Sequence, residues 1–459
     1  MKKTLVINVV GLTHSLIGEN MPFLSQWTKA GKVTYIKPAL PAVTCSVQTC
    51  YVTGKWPSEH GIVGNGWYFR DECEVKFWRQ SNKLITAPKI WDVAKEMDPT
   101  FSCSNMFWWY NMYLTADTSA TPRPIYAADG KKFSDCYTYP AELRNILQSK
   151  LGTFPLFDFW GPKTSIKSSD WIAKAAMEVE KLRPSTLTLI YLPHLDYDLQ
   201  RVGPDDASVV AKNLQEIDKV CEDLITFYEA RDTQVIVLSE YGITNVSQPI
   251  DINRVLRQHG YLEVREEQGG ELLDAGASAA FAVVDHQLAH VYVNDLSKLE
   301  EVKKLLESVP GIESVFGEED KVKHHLNHPR SGELIAVADA KSWFTYYYWL
   351  DENKAPDFAR TVDIHRKPGY DPAELFVDPK IKAIKLKVML KLLKKKLGFR
   401  YLLDVIPLDA TLVKGSHGRY PDTDQEGPLL ISKQSNLLSK NNIEAVEVFD
   451  IILDHLKNE

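Results

Sequence analysis

The sequence predicts an α/β protein built on a mostly parallel sheet that helices cover on both faces. Three runs of branched apolar residues, at 5–10, 186–192 and 233–238, are bounded by loop residues, and an amphipathic helical pattern at 205–230 separates the last two. Continuous apolar strands that alternate with amphipathic helices are typical of parallel sheets buried on both faces. Ligands of such sheets gather beyond the carboxyl ends of the strands, so functional residues are expected just after the three runs.

The length and composition are those of a large, mildly acidic globular protein. At 459 residues the chain exceeds the size at which a single core usually stops growing, so an inserted lobe or a second domain is expected. The net charge of -7 gives no overall electrostatic basis for binding nucleic acid. We therefore expect no nucleic-acid partner.

The first twelve residues, MKKTLVINVVGL, superficially resemble a signal peptide. The apolar run is short, contains Asn8 and lacks a small-residue cleavage site, so we interpret it as the first buried strand. No stretch of the sequence approaches the roughly 18 to 20 apolar residues of a membrane span. The six cysteines show no CxxC spacing and are sparse for a disulfide scaffold, so reduced thiols and a cytoplasmic location are expected.

The chain divides into three predicted segments. Residues 1–285 form the first part of the core, residues 286–345 form a small α+β cap, and residues 346–459 return to the core. The patterns in the cap predict strands at 290–294, 312–316 and 333–338, and a helix at 295–308. The last segment carries His417 and ends in a predicted helix at 442–457.

A threonine that precedes a predicted helix is the leading candidate for a nucleophile. Thr44 stands in the segment 41–68, PAVTCSVQTCYVTGKWPSEHGIVGNGWY, just before a helical pattern at 46–53. Backbone N–H groups at a helix N-terminus can hold a phosphoryl group and stabilise its negative charge. The alternative is that Thr44 only caps the helix, because threonine is a common N-cap residue.

The residues that follow Thr44 carry a family resemblance. A Thr-Gly pair at 53–54, a His-Gly pair at 60–61 and Asn65 give a spacing that resembles the nucleophile region of the alkaline phosphatase superfamily, in its nucleotide pyrophosphatase and phosphodiesterase branch. The resemblance implies an alkaline-phosphatase-like core, with a mostly parallel central sheet flanked by helices, plus a small α+β cap. It also implies that Thr44 is the nucleophile and that Asn65 contacts the substrate.

The resembled family holds two divalent metals, usually zinc, through aspartate and histidine residues at strand ends, and this sequence keeps part of that set. Matched by motif, Asp196 and His417 agree with the family, and Glu240 replaces an aspartate. At three further ligand positions this sequence has a different residue: Val10, Gln200 and Tyr241. The family also has an asparagine three residues after the nucleophile, where this sequence has Val47. We therefore expect Asp196, Glu240 and His417 to hold fewer than two metal ions, either zinc or a harder ion such as Mg or Mn. Asn8 could partly substitute for the ligand missing at Val10, or be a hydrogen-bonded strand residue.

A second polar cluster, VDIHRKPGYDP at 362–372, follows the predicted cap. Asp363 and His365 are two residues apart, so on an extended segment they share one face and could pair or supply ligands. His365 and Lys367 are candidate substrate-binding residues, and Lys367 or equally Arg366 could bind a substrate phosphate. The alternative is a solvated loop with a turn at 368–369.

Residues 379–400, PKIKAIKLKVMLKLLKKKLGFR, form a basic amphipathic stretch. Ile381, Ile384, Val388 and Leu392 recur at helical spacing among eight lysines, in a chain whose net charge is -7. Such a local positive surface could make a peripheral contact with anionic lipid or contact another protein. The alternative is the solvated face of a surface helix.

The residues and the resemblance together predict a metal-dependent phosphoester hydrolase. It would resemble a phosphodiesterase or pyrophosphatase and use Thr44 as nucleophile on a small, specialised phosphorylated substrate. The alternative is a catalytically impaired relative that binds a phosphorylated or lipid-like ligand, or a protein partner. The departures at Val10, Gln200, Tyr241 and Val47 keep this alternative open.

Overall fold

A nine-stranded sheet forms the centre of the protein, whose computed structural model describes residues 1–129, 131–399 and 401–457. From one edge to the other its strands are Asn442–Glu444, Lys32–Lys37, Leu429–Ser432, Gln234–Leu238, Thr4–Val9, Leu187–Leu192, Cys103–Met106, Thr118–Pro122 and Cys136–Tyr139. The five strands from Gln234–Leu238 to Thr118–Pro122 run parallel, and Leu429–Ser432 and Cys136–Tyr139 are antiparallel to their neighbours. The predicted α/β fold with a mostly parallel sheet is confirmed.

The central strands are continuous apolar runs because both of their faces are covered. Every residue of Thr4–Val9 and of Leu187–Leu192 is buried. Thr4–Val9 lies between Leu187–Leu192 and Gln234–Leu238, parallel to both, so these three strands end at the same edge of the sheet. The predicted strands at 5–10, 186–192 and 233–238 are thus confirmed to within one residue.

Helices cover the sheet and connect its strands. Their bounds are Pro22–Lys29, Thr44–Thr53, Pro57–His60, Ile90–Met97, Glu142–Leu151, Leu156–Phe159, Ile166–Leu182, His194–Val202, Ala207–Glu229, Ile252–Gln258, Leu299–Glu307, Glu318–Lys323, Ile384–Lys396 and Val448–Lys457. The predicted helix at 205–230 is confirmed, whereas the helix predicted at 442–457 begins only at Val448. Asn442–Glu444 is instead an edge strand, because it buries Ile443 and pairs with Lys32–Lys37. Among the described residues, no helix is long and apolar enough to cross a bilayer.

A second, smaller lobe follows the last parallel strand of the core. Its antiparallel sheet has the order Ala280–Asp285, Leu288–Val293, Leu334–Ala338 and Ile312–Phe316. Its apolar cluster draws on residues from Val246 to Val413, and also on Tyr68 and Phe77 of the hairpin Gly66–Phe69 and Glu74–Phe77. The lobe is therefore larger than the cap predicted at 286–345. Within the described residues there are four further two-stranded pairs: Thr244–Asn245 with Gly415–Ser416, Gln248–Ile250 with Ser342–Phe344, Val264–Glu267 with Gly270–Leu273, and Ile125–Tyr126 with Lys132–Phe133.

The turn after Gln234–Leu238 needs a glycine because the chain passes very close to a neighbouring loop. A Cβ atom on Gly242 would collide with the backbone carbonyl of Glu426 and with the Thr13 side chain. The glycine lets the turn at 239–242 approach that loop, and this turn carries Glu240 and Tyr241.

Replacing Gly242 by alanine is expected to lower the free energy of unfolding by about 1–3 kcal/mol, because the backbone of Glu426 must shift to admit the methyl group. Urea denaturation of wild type and variant measures the loss. Gly18→Ala is the matched control, since nothing lies within 4 Å of its added Cβ. Equal stabilities of the two variants would contradict the close approach.

Candidate active site

Thr44 is the first residue of the helix Thr44–Thr53 and is only 3% exposed. Its hydroxyl lies 3.2 Å from the Tyr241 hydroxyl. At the same helix end, the Cys45 backbone N–H donates to Asn65 Oδ1 at 3.0 Å. The first N–H groups of a helix have no partner within the helix, and here Asn65, a residue of the predicted site, accepts from one of them.

Tyr241 connects Thr44 to a carboxylate. Its hydroxyl donates to Asp196 Oδ1 at 3.1 Å and lies 3.2 Å from the Thr44 hydroxyl, where either oxygen can be the donor. The ring of Tyr241 lies flat on the imidazole of His417, with the ring centres 3.5 Å apart and the planes at 6°. A chain of hydrogen bonds thus connects Thr44 through Tyr241 to Asp196.

Asp196 lies in the first turn of the helix His194–Val202, just beyond the strand Leu187–Leu192. Its Oδ2 accepts a hydrogen bond from Gln200 Nε2 at 2.8 Å, one helical turn further on. Burial raises the pKa of Asp196 to about 7, and the hydrogen bonds from Tyr241 and Gln200 oppose that rise. Near neutral pH this carboxyl can therefore both accept and release a proton.

Glu240 is fully buried and is held by two side-chain amides. Asn8 Nδ2 and Gln48 Nε2 both donate to its Oε1, each at 2.5 Å. Burial raises the pKa of Glu240 to about 8, while the hydrogen bonds from Gln48, Asn8 and Thr44 lower it. Asn8 is thus a hydrogen-bonded strand residue, which was one of the two alternatives for it.

His417 is a buried, neutral histidine. Its Nδ1 lies 2.7 Å from the carbonyl oxygen of Ala42, which can only accept, so Nδ1 carries the proton. Burial lowers the pKa of His417 to about 3, with the bond to Ala42 opposing. Its Nε2 makes no hydrogen bond to the described residues and lies 3.9 Å from Asp196 Oδ1.

The side chains around Thr44 do not fit the paired-metal centre of the resembled family. Asp196 and His417 face one another, but Glu240 is bound by Asn8 and Gln48, and the Tyr241 ring covers His417. In the described part of the chain, no group of three or more His, Cys, Asp or Glu side chains could hold a metal ion. The expected ligands Asp196, Glu240 and His417 therefore do not form one centre in this arrangement.

Asn65 is fixed by a buried carboxylate that sequence reasoning missed. Asp285 accepts from the Asn65 backbone N–H at 2.7 Å and from its side-chain amide at 3.0 Å. Burial raises the pKa of Asp285 to about 7, against the hydrogen bonds of Asn65. Asp285 ends the fully buried strand Ala280–Asp285, so a carboxylate directly after an apolar run was the available signal.

A column of four rings extends from Tyr241 into the small lobe. His417 is followed by His286 at 3.7 Å between ring centres, and His286 by Tyr370, also at 3.7 Å. The Tyr370 hydroxyl returns to the site by hydrogen bonding to Gln200. Sequence reasoning missed His286, which carries no motif of its own, and assigned no site role to Tyr370 although it belongs to the polar cluster at 362–372.

The two further candidates for substrate binding lie elsewhere. Lys367 is 1% exposed at its side chain and forms ion pairs of 2.7 Å with both Asp371 and Glu374. His365 is exposed, and its ring faces Tyr126. In this structure neither side chain joins the group around Thr44.

The described fold, a large mostly parallel sheet covered by helices, is that of an alkaline-phosphatase-type core. A family model for type I phosphodiesterase / nucleotide pyrophosphatase matches residues 4–371, so the chain belongs to that family. The family is one of phosphoric ester hydrolases of the phosphodiesterase and pyrophosphatase type, generally dependent on divalent metal.

Solved structures with the same fold include enzymes of two kinds. Human ectonucleotide pyrophosphatase / phosphodiesterase 5 is 15% identical with a TM-score of 0.61, covering 99% of this chain and 95% of its own. An inactive variant of the murine protein in complex with AMP is 14% identical with a TM-score of 0.60, covering 100% and 95%. Phosphonoacetate hydrolase from Sinorhizobium meliloti 1021 in complex with phosphonoacetate is 12% identical with a TM-score of 0.61, covering 99% and 96%. No curated protein matches the sequence.

The buried Glu240 carboxyl makes stability depend on pH. Its pKa is raised to about 8 from 4.5, so between these values the folded chain binds more protons than the unfolded chain and loses stability as pH rises. Glu240→Gln keeps an acceptor for Asn8 and Gln48 but cannot titrate. We expect the variant to lose less stability than wild type from pH 5 to pH 8, by on the order of a few kcal/mol.

Urea denaturation at several pH values measures this difference. Glu300→Gln serves as the control, since Glu300 is exposed. A pH slope for Glu240→Gln that matches those of wild type and control would contradict a raised pKa at Glu240.

Proposed function

We propose that this chain hydrolyses a phosphodiester or pyrophosphate bond in a small phosphorylated substrate, with Thr44 as nucleophile and Asp196 as the base that acts through Tyr241. The observation that carries the proposal is the hydrogen-bond chain that connects Thr44, Tyr241 and Asp196. A threonine hydroxyl needs activation to attack phosphorus, and an adjacent base is one way to supply it. The pKa of Asp196, raised to about 7 by burial, is suited to this task near neutral pH.

The first step transfers the phosphoryl group to the protein. The Thr44 oxygen forms a bond to phosphorus as the bond from phosphorus to the leaving oxygen breaks. The Thr44 proton moves to the Tyr241 oxygen while the Tyr241 proton moves to Asp196 Oδ1, so Tyr241 stays neutral overall. The leaving oxygen departs as an anion or takes a proton from solvent.

The second step releases the product. Water attacks phosphorus and the bond between phosphorus and the Thr44 oxygen breaks, with the water proton passing to the phosphate product or to solvent. Asp196 returns its proton through Tyr241 to Thr44, which restores the starting state. Asn65, fixed by Asp285, is the proposed contact for the substrate phosphoryl oxygens.

Divalent metal has no step in this proposal, although the family generally depends on it. The reason is that the expected metal ligands are already engaged by other groups. The ring of Tyr241 stacks on His417, and the Glu240 carboxylate accepts hydrogen bonds from two side-chain amides. The proposed substrate class draws support from two structural neighbours, whose complexes contain AMP and phosphonoacetate. A cytoplasmic location is also proposed, since all six cysteines are free thiols.

A second candidate function is ligand binding without turnover. This alternative is favoured by the burial of the site, since Thr44 and Tyr241 are each only 3% exposed. A substrate can therefore reach Thr44 only if neighbouring side chains move. Titration calorimetry with AMP separates the two functions. Saturable binding without hydrolysis of any phosphodiester, unaffected by Thr44→Val, would support the binding role.

Removing either hydroxyl of the chain is expected to stop hydrolysis. Thr44→Val should abolish release of nitrophenol from bis(p-nitrophenyl) phosphate, because no nucleophile is left. Tyr241→Phe should lower kcat by about 100- to 10,000-fold, the usual contribution of general acid–base catalysis. Wild-type activity should persist in EDTA.

Tyr113→Phe is the matched control, since Tyr113 is 60% exposed. Circular dichroism establishes that all three variants fold. Full activity of Tyr241→Phe, or activity that EDTA removes and Zn or Mn restores, would show that Thr44 is activated by another route.

The pH profile is expected to report the ionisation of Asp196. Its carboxylate must be free to accept a proton, so kcat/KM should fall as pH drops below about 7, the pKa of Asp196. Gln200→Leu removes a hydrogen bond that favours the ionised form, and should move this acid limb upward by about one pH unit. An acid limb near pH 5, or one that Gln200→Leu leaves in place, would be incompatible with Asp196 as base.

A further inference from the structure

The helix Ile384–Lys396 carries an exposed apolar stripe. Leu386, Met389, Leu390 and Leu393, with Leu397 just after the last helical residue, follow the pattern i, i+3, i+4, i+7 and i+11, which places them on one side of a helix with about 3.6 residues per turn. Each is at least half exposed, from 50% at Leu390 and Leu393 to 64% at Leu397. Phe399, just beyond the helix, is also 64% exposed. Surface apolar residues usually occur singly, so a continuous stripe of this kind indicates a binding surface.

The opposite side of the helix is already packed on the protein. Ile384 and Val388 contact a small apolar cluster that contains Ala373, Val405 and Ile406. Lys387 and Lys391 fix the same side by ion pairs of 3.0 and 2.9 Å to Asp404. The helix therefore packs on the protein with one side, and the exposed stripe on its other side faces away from the protein.

Lysines lie on both flanks of the stripe. Lys385 and Lys396 lie on one flank of the helix and Lys394 on the other, and all three are exposed. None of them forms an ion pair within the described residues, and residues 379–399 include no aspartate or glutamate. An apolar face bordered by lysines is typical of a helix that lies in a membrane interface, where the apolar residues enter the acyl boundary and the lysines meet anionic headgroups.

We propose that the face formed by Leu386, Met389, Leu390, Leu393 and Leu397, here called the lipid face, docks on an anionic bilayer with the helix lying parallel to its surface. Charge decides between the possible occupants. A second copy of this chain would bring the same lysines together, whereas an anionic bilayer offers both an apolar interior and negative headgroups. The helix follows the region of the family match, residues 4–371, and the proposal does not depend on catalysis by Thr44.

Vesicle co-sedimentation of the full chain tests the lipid face. Vesicles of phosphatidylcholine alone are compared with vesicles that also contain phosphatidylserine, at low and high salt. We expect binding to the anionic vesicles that weakens at high salt and is at least about tenfold weaker to neutral vesicles. The double variant Leu390→Glu with Leu393→Glu should lose this binding, and Lys385→Gln with Lys396→Gln should reduce it by about fivefold per lysine.

Two matched controls use exposed residues outside the helix: Leu296→Glu, at a leucine that is 65% exposed, and Lys212→Gln. Both should bind vesicles as wild type does. Equal sedimentation with neutral and anionic vesicles, or wild-type binding by the Leu390→Glu, Leu393→Glu double variant, would overturn the proposal. So would a dimer in light scattering that the same double variant dissociates, because it would assign the face to a second copy.

Discussion

The contact on which the site depends is the one made by Tyr241. Its ring lies on His417 and its hydroxyl joins Thr44 to Asp196, so a single side chain contacts all three residues. By resemblance, this position holds a metal-binding histidine in the family. Tyr241 takes away an imidazole, which would bind zinc well, and supplies a hydroxyl that can relay a proton.

The same contact explains how the two lobes share one site. The ring column that begins at Tyr241 passes through His417 to His286 and Tyr370, and Tyr370 hydrogen bonds to Gln200 of the core. Asp285 of the small lobe likewise accepts two hydrogen bonds from Asn65 of the core. Buried polar groups are costly unless they are hydrogen-bonded, so these interactions favour one relative placement of the parts that contribute to the site.

The sequence predicted the parts of the molecule that local pattern determines. The three apolar strands and the helix at 205–230 could be located because burial on both faces demands continuous apolar runs, and the motif after Thr44 identified the family. Side-chain pairing over long sequence distances could not be predicted. Lys367 was expected to meet a phosphate but is enclosed by Asp371 and Glu374, and Tyr241 was read as a lost ligand although it fills the centre of the site. The contacts of Lys367 and Tyr241 depend on which loops meet in the folded chain, and the spacing of residues within a motif does not determine that.

The low pKa of His417 has an electrostatic consequence for any ligand that reaches Thr44. His417 and His286 are buried and uncharged at neutral pH, and Lys367 is neutralised by two carboxylates. An incoming phosphate group therefore meets dipoles and hydrogen-bond donors instead of a full positive charge. In such surroundings a second negative charge on the ligand is costly to desolvate, which favours singly charged diesters over doubly charged monoesters.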